Sequence, residues 1–548
     1  MFGAELMYHF GNVAILTAFV AAFVLWRYRV AILAGMQGTS GAALPVPALA
    51  APDRSSAGPG TGAGELTHCP NVFAALSWES YARRRVALAY LLSVGLPASA
   101  LAAFYLKQSD VPIIPAYFVA LASIILSAAI PMIAVSLAIP FWRALGHWLL
   151  LLLAGVALAL MLVVAQRAAN GKLPTLQIFS LVWSFCQLAA SQLWLPLLLL
   201  FATGSKRLRG VAPITFAGLL VFGLAPLAGS RLTHALASTR IGSGWVLSLG
   251  MNAVFVLLAL PVGWLAWWRL RGLAREYENK RFSDGQLLAR TWWLIFVACT
   301  GLELIGARPN PLLSFAGCVL AYALFRPANR YVLAWAGLAR GRPAPRTLLL
   351  LRVFGYTGRT ERLFDRVGAR WRLFGPVTMI AAPDVIARTV DPAEFLRFVT
   401  GNVGDIFVQS QADLDARLRA LDLAPDPDGR YRVSEFCCRD DTWQATVVAL
   451  MQRCDAVIMD VRGVTAARRG CEFELQQLAA RVPARKVVLV ADHTTDQAFI
   501  EQATSGRRGD LRLVTVERDA NPETQRLFEA LLEAAAWPAL GRGELGAA

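Results

Sequence analysis

Apolar residues follow two regimes along the chain. Up to Arg326 they run in long blocks with few interruptions, and from Arg346 onward they form short runs separated by charged segments at helical spacing. A helix needs about 20 apolar residues to cross the hydrocarbon core. After a first apolar run ending at Trp26, windows at 86–106, 111–141, 145–165, 176–203, 211–228 and 245–268 meet or approach that length. Two shorter windows, 292–307 and 311–325, flank Arg308-Pro309-Asn310 and predict either two spans or a re-entrant hairpin. Counted as spans, they bring the total to nine.

The second regime alternates. Strand-like runs at 347–354, 377–382, 431–437, 456–461, 486–491 and 511–517 are separated by segments of helical period at 359–373, 392–399, 412–421, 443–453, 471–478, 496–503 and 522–535. Asn521 stands at the cap of the last of these, and Asp426-Pro427-Asp428-Gly429 is a turn. Strands alternating with helices imply a doubly wound parallel sheet of about five or six strands. The predicted fold is a polytopic α-helical membrane domain followed by a cytosolic α/β doubly wound parallel-sheet domain. Its parts are a first transmembrane helix (1–34), a flexible cytoplasmic linker (35–85), a helical bundle (86–326), a juxtamembrane hinge (327–345), the Rossmann-like domain (346–537) and a tail (538–548). The linker assignment rests on the Ala, Gly, Pro and Ser content of 35–65.

Composition sharpens this picture. Hydrophobic residues make up 56% of 548 residues, which is too apolar for an ordinary soluble protein. The net charge of +16 is confined to the membrane half, because 27 Lys and Arg meet 28 Asp and Glu from Pro345 onward. With the N-terminus outside, 16 basic residues fall in cytoplasmic loops and six outside. That is the positive-inside bias, so the bilayer is the expected partner and no nucleic acid is. The first run carries Glu5 and no basic n-region, which predicts an uncleaved span. The location that follows is a bacterial-type inner membrane, with the C-terminal domain in the cytoplasm. Glu303 is the one charged residue within the windows, and pairing with Arg308 is its structural reading. The eight cysteines show no paired spacing, so they are expected to be reduced, and no metal site is expected.

One stretch suggests chemistry. CDAVIMDVRGVTAARRGCEFELQQL, from Cys454 to Leu478, reads as a buried strand ending in Asp460, a loop bearing Arg462, Arg468, Arg469 and Gly470, and a helix that opens with Glu472 and Glu474. Ligands of open α/β sheets sit outside the carboxyl ends of the strands, which would put these groups in one crevice. Glu474, Glu472 and Asp460 are the candidate catalytic residues. Arg462, Arg468, Arg469 and Gly470, with Asp440 and Asp441 ahead of Trp443, are the candidate ligand-binding ones. Each has a plainer reading. The glutamates suit a helix N-terminus whatever the chemistry, the arginines suit anionic headgroups, and Asp440 or Asp441 suits a helix cap. His493 is a lone histidine at a strand end, expected to face solvent.

The segment GCEFEL resembles the Cys-x-x-Glu-Leu element of Toll and interleukin receptor (TIR) domains, through Cys471, Glu474 and Leu475. It also resembles the nucleoside deoxyribosyltransferases, through Asp460, Gly470 and Glu472 or Glu474. Both families are Rossmann-like. The resemblance implies NAD or another nucleotide as ligand and cleavage of an N-glycosidic bond, with Glu474 on the catalytic glutamate of the NAD-cleaving TIR members. A carboxylate there would stabilise or trap an oxocarbenium-like state. The sequence thus predicts a membrane-anchored sensor or effector that binds a nucleotide or a partner, with homo-oligomerisation as one route to signalling. A non-enzymatic assembly module is the alternative, and a solute transporter with a regulatory domain is the less favoured one.

Overall fold

The computed structural model describes residues 72–108, 115–169 and 311–338 almost without interruption, 22–37, 44–46 and scattered positions from 261 to 297, and most of 344–381 and 401–536. The windows 176–203 and 211–228, most of 245–268, Glu303, the 308–310 turn and most of the 392–399 helix lie outside the described residues. The chain divides into two compact units. One takes in 85–336, and the other takes in 29–84, 337–389 and 401–548.

The described helices include α1 (Val72–Gln108), which belongs to the second unit up to Arg84 and to the first from Arg85, and, in the first unit, α2 (Pro115–Leu126), α3 (Ala129–Ser136), α4 (Phe141–Ala169) and α5 (Pro311–Trp335). Among the described residues, three stretches are long and apolar enough to cross a membrane: Val72–Phe104, Tyr117–Ala134 and Trp142–Ala165. The window expected at 111–141 is two helices, α2 and α3, rather than one. Between helices the polar contacts close on themselves. Gln286 donates to Asn329 Oδ1 at 2.8 Å, and Asn329 donates to Ser93 Oγ at 3.2 Å. All three are buried, and each bond satisfies a group that apolar surroundings would otherwise strand.

The second unit is built on a six-stranded sheet: β1 (Leu348–Arg352), β2 (Val377–Ala381), β3 (Val433–Cys437), β4 (Ala456–Asp460), β5 (Val487–Ala491) and β6 (Arg512–Thr515). Their order is β3-β2-β1-β4-β5-β6, and every neighbouring pair is parallel. β4 and β5 are buried throughout, and their apolar sequences, AVIM ahead of Asp460 and VVLVA, are those of strands covered on both faces. The connecting helices are α6 (Arg359–Trp371), α7 (Gln411–Arg419), α8 (Trp443–Met451), α9 (Arg469–Arg481), α10 (Gln497–Ala503) and α11 (Asn521–Ala534). α7 and α10 are capped by Ser410 and Asp496, whose side chains accept from the backbone three residues on. A continuous core joins β4 and β5 to α8 and α9, with Trp443 set edge-on to Phe473.

This unit extends into the segment expected to be a flexible linker. Helix α1 begins at Val72, well inside it, with Ala74, Ala75, Trp78, Glu79 and Ala82 buried along one stripe. Glu79 receives both Nε and Nη2 of Arg370 on α6, at 2.9 and 2.7 Å. Arg370 also donates to Gln525 and lies 3.9 Å over the Phe528 ring, both on α11. Trp78 donates to the Leu373 carbonyl at 3.4 Å. Further back, Leu44 and Val46 pack against the sheet's core, and the Leu44 N–H donates to the Asp441 carbonyl. Low hydropathy hides these anchors, because each works through a partner hundreds of residues away.

Candidate functional site at the carboxyl edge of the sheet

The strand order reverses direction between β1 and β4. β1 leads to β2 on one side and β4 to β5 on the other, and a reversal of this kind is where open parallel sheets generally take ligands. Register places Arg352 beside Asp460 at that edge. The connection leaving β1, residues 353–358, lies outside the described residues.

The β4 side is described in detail. Beyond Asp460 the chain turns at once: Val464 N–H donates to the Val461 carbonyl, and Gly463 takes a left-handed φ of 66° that a side chain would resist. The turn folds Arg462 back onto Asp460. Nε and Nη2 each donate to a different carboxylate oxygen at 2.9 Å, the Arg462 backbone N–H adds a third bond at 3.2 Å, and Nη1 reaches the Val516 carbonyl. Arg462 is 3% exposed and Asp460 1%. Burying two charges is tolerable only in such a bidentate, fully bonded arrangement. The pair ties the end of β4 to the segment leaving β6 and engages both carboxylate oxygens of Asp460.

The two glutamates diverge. Positions two apart on a helix are separated by about 200° around its axis, so they cannot face one crevice together. Glu474 is 2% exposed and shares the sheet-facing side of α9 with Cys471, Leu475 and Leu478. Glu472 is half-buried in the first turn and accepts from Gln476 at 3.4 Å. Arg469 is exposed as the first helical residue, Gly470 follows half-buried, and Arg468 lies outside the described residues. The candidates therefore come together only in part: Asp460 with Arg462 in a closed pair, and the start of α9 beyond it.

Asp440 is exposed and Asp441 half-buried, ahead of α8. The cap position of that helix belongs to Thr442, whose hydroxyl accepts from the Arg439 N–H. Cys437, Cys438, Cys454 and Cys471 are buried free thiols. Burial pushes Cys438 and Cys454 up to about 12, which keeps them protonated and poor nucleophiles at neutral pH.

His493, expected to face solvent, is exposed at this edge and gains a partner there. The β5–β6 register pairs Ala491 with Thr515, and two residues further on it brings His493 opposite Glu517. Nδ1 of His493 lies 2.6 Å from Glu517 Oε2. The signal was present as a polar group just past each of two apolar runs, but it becomes legible only when those runs are known to be neighbours.

No family model matches the chain, and no curated protein matches it.

Proposed function

We propose that this chain is an inner-membrane protein whose bundle of about nine spans holds a cytosolic α/β unit that binds a nucleotide. The observation that carries the reading is the reversal of strand order between β1 and β4, the position at which open parallel sheets take their ligands. Helix α9 opens beside that position, and its N-terminal N–H groups, with Arg469 as its first residue and Arg468 just before it in sequence, suit a phosphate. The ligand class is NAD or another nucleotide. Binding, rather than N-glycosidic cleavage, is the function proposed: Asp460 is committed to Arg462, and Glu472 and Glu474 point apart.

The test uses the full chain in detergent micelles with a panel of radiolabelled NAD, ATP, GTP and cyclic nucleotides. The expected result is saturable binding of one class, weakened roughly tenfold by the double change Arg468→Gln and Arg469→Gln, with no base released on incubation. No binding across the panel would overturn the reading. Base release abolished by Glu474→Gln would replace it with the glycosidic enzyme.

A further inference from the structure

The carboxyl ends of β5 and β6 hold a donor set that the reading of β4 does not use. One ligand atom each from Asp492, His493 and Glu517 lies within 4.8 Å of the others. The backbone fixes this grouping: Val516 N–H donates to the Ala491 carbonyl at 2.9 Å and extends the ladder past β6, while His493 N–H donates to Glu517 Oε1 at 3.0 Å. Asp492 is 6% exposed. Its Oδ1 accepts from the Thr494 backbone and hydroxyl at 2.9 and 2.5 Å, which sets the direction of the carboxylate.

A surface ion pair would need only His493 and Glu517. The third member adds a second carboxylate to the imidazole, so that three ligand atoms from three residues converge within 4.8 Å. An imidazolium supplies at most one positive charge, whereas a divalent ion satisfies both carboxylates and leaves the imidazole neutral.

We propose that Asp492, His493 and Glu517 form a three-ligand site for a divalent transition-metal ion, with a fourth position open to solvent. One imidazole with two carboxylates suits zinc, manganese or cobalt, whereas magnesium and calcium favour oxygen alone. Ligand atoms about 2.0–2.1 Å from a tetrahedral ion stand roughly 3.3 Å apart. The Nδ1–Oε2 distance of 2.6 Å must therefore open slightly, and the wider separations, up to 4.8 Å, must close. The side chains that would move are the accessible ones, with His493 72% and Glu517 37% exposed, while Asp492 stays braced by its threonine. Three protein ligands leave the fourth position to water or to an oxygen of an incoming anion. The site stands whether or not a nucleotide binds beside β4.

The experiment titrates metal-free, untagged full chain in detergent with zinc chloride by calorimetry, and repeats the titration with His493→Ala and Glu517→Gln. One equivalent is expected with a dissociation constant of roughly micromolar or tighter, weakened at least tenfold in each variant. Cobalt(II) should give a tetrahedral visible spectrum in the wild type that is lost in His493→Ala. Both changed side chains are accessible, and matched circular dichroism and melting without zinc will show that the variants fold. Absence of stoichiometric zinc binding, or binding unchanged in folded His493→Ala, would overturn the proposal.

Discussion

Asp460 ends β4 and Asp492 directly follows its parallel neighbour β5, yet their surroundings differ. Asp460 is followed by a turn that brings Arg462 back onto it, so its charge is neutralised inside the protein and serves to tie strand ends together. Asp492 is followed by threonines that bond to one of its oxygens, and its nearby charged groups, His493 and Glu517, are partly open to solvent. Burial alone does not separate them, since both are nearly inaccessible. What separates them is what the following residues bring back to the carboxylate: an arginine onto Asp460 and threonine bonds onto Asp492. The carboxylate with the more evident sequence context is closed off by its arginine, and the one with the plainer context has an imidazole and a second carboxylate within 4.8 Å.

That contrast can be broken by substitution. Asp460→Asn should have the largest effect, lowering stability by about 3–5 kcal/mol, because it leaves the Arg462 guanidinium buried without its counter-charge. Thermal unfolding in detergent would measure it, and a shift of only a degree or two would mean that the pair is not a strut. Glu79→Gln removes the carboxylate from Arg370, which keeps Gln525 and the Phe528 ring and is 18% exposed. A smaller loss of about 1–3 kcal/mol is expected, read as a fall in denaturant midpoint. Asp492→Asn retains an acceptor for the threonine bonds, so stability should change by under about 1 kcal/mol while zinc uptake is lost. Arg512→Gln, at the exposed pair with Glu533, should change stability by under about 0.5 kcal/mol and leave ligand binding intact.

Much of the α/β unit was legible because its signals are local. Unbroken apolar runs such as VVLVA announce buried strands, and charged periodic segments between them announce helices, so a parallel sheet of about five or six strands follows from spacing, and the fold has six. The membrane half was legible to the level of apolar helices, three of which are described at spanning length. What depended on distant partners was not legible. Leu44, Val46 and Glu79 lie in a stretch that composition marks as linker, and only the fold shows that they dock on the sheet's core and on Arg370. Asp460 looked reactive because its neutralisation depends on a left-handed Gly463, a backbone choice that spacing does not reveal. Glu472 and Glu474 share a helix start in the sequence reading, and it is the fold that separates them, with Glu474 buried and Glu472 half-buried.

These boundaries bear on how the protein should be handled. A fragment starting at Arg346 would lack the partners of Arg370 and of the Leu373 carbonyl, so measurements on ligands belong on the full chain.

The most direct test of a ligand site at the strand reversal is hydrogen–deuterium exchange on the full chain in detergent, with and without the nucleotide that binds. The account predicts slowed exchange concentrated in residues 461–472, from the turn after β4 to the first turn of α9. Saturable binding that leaves this segment unchanged and protects another part of the chain would contradict it.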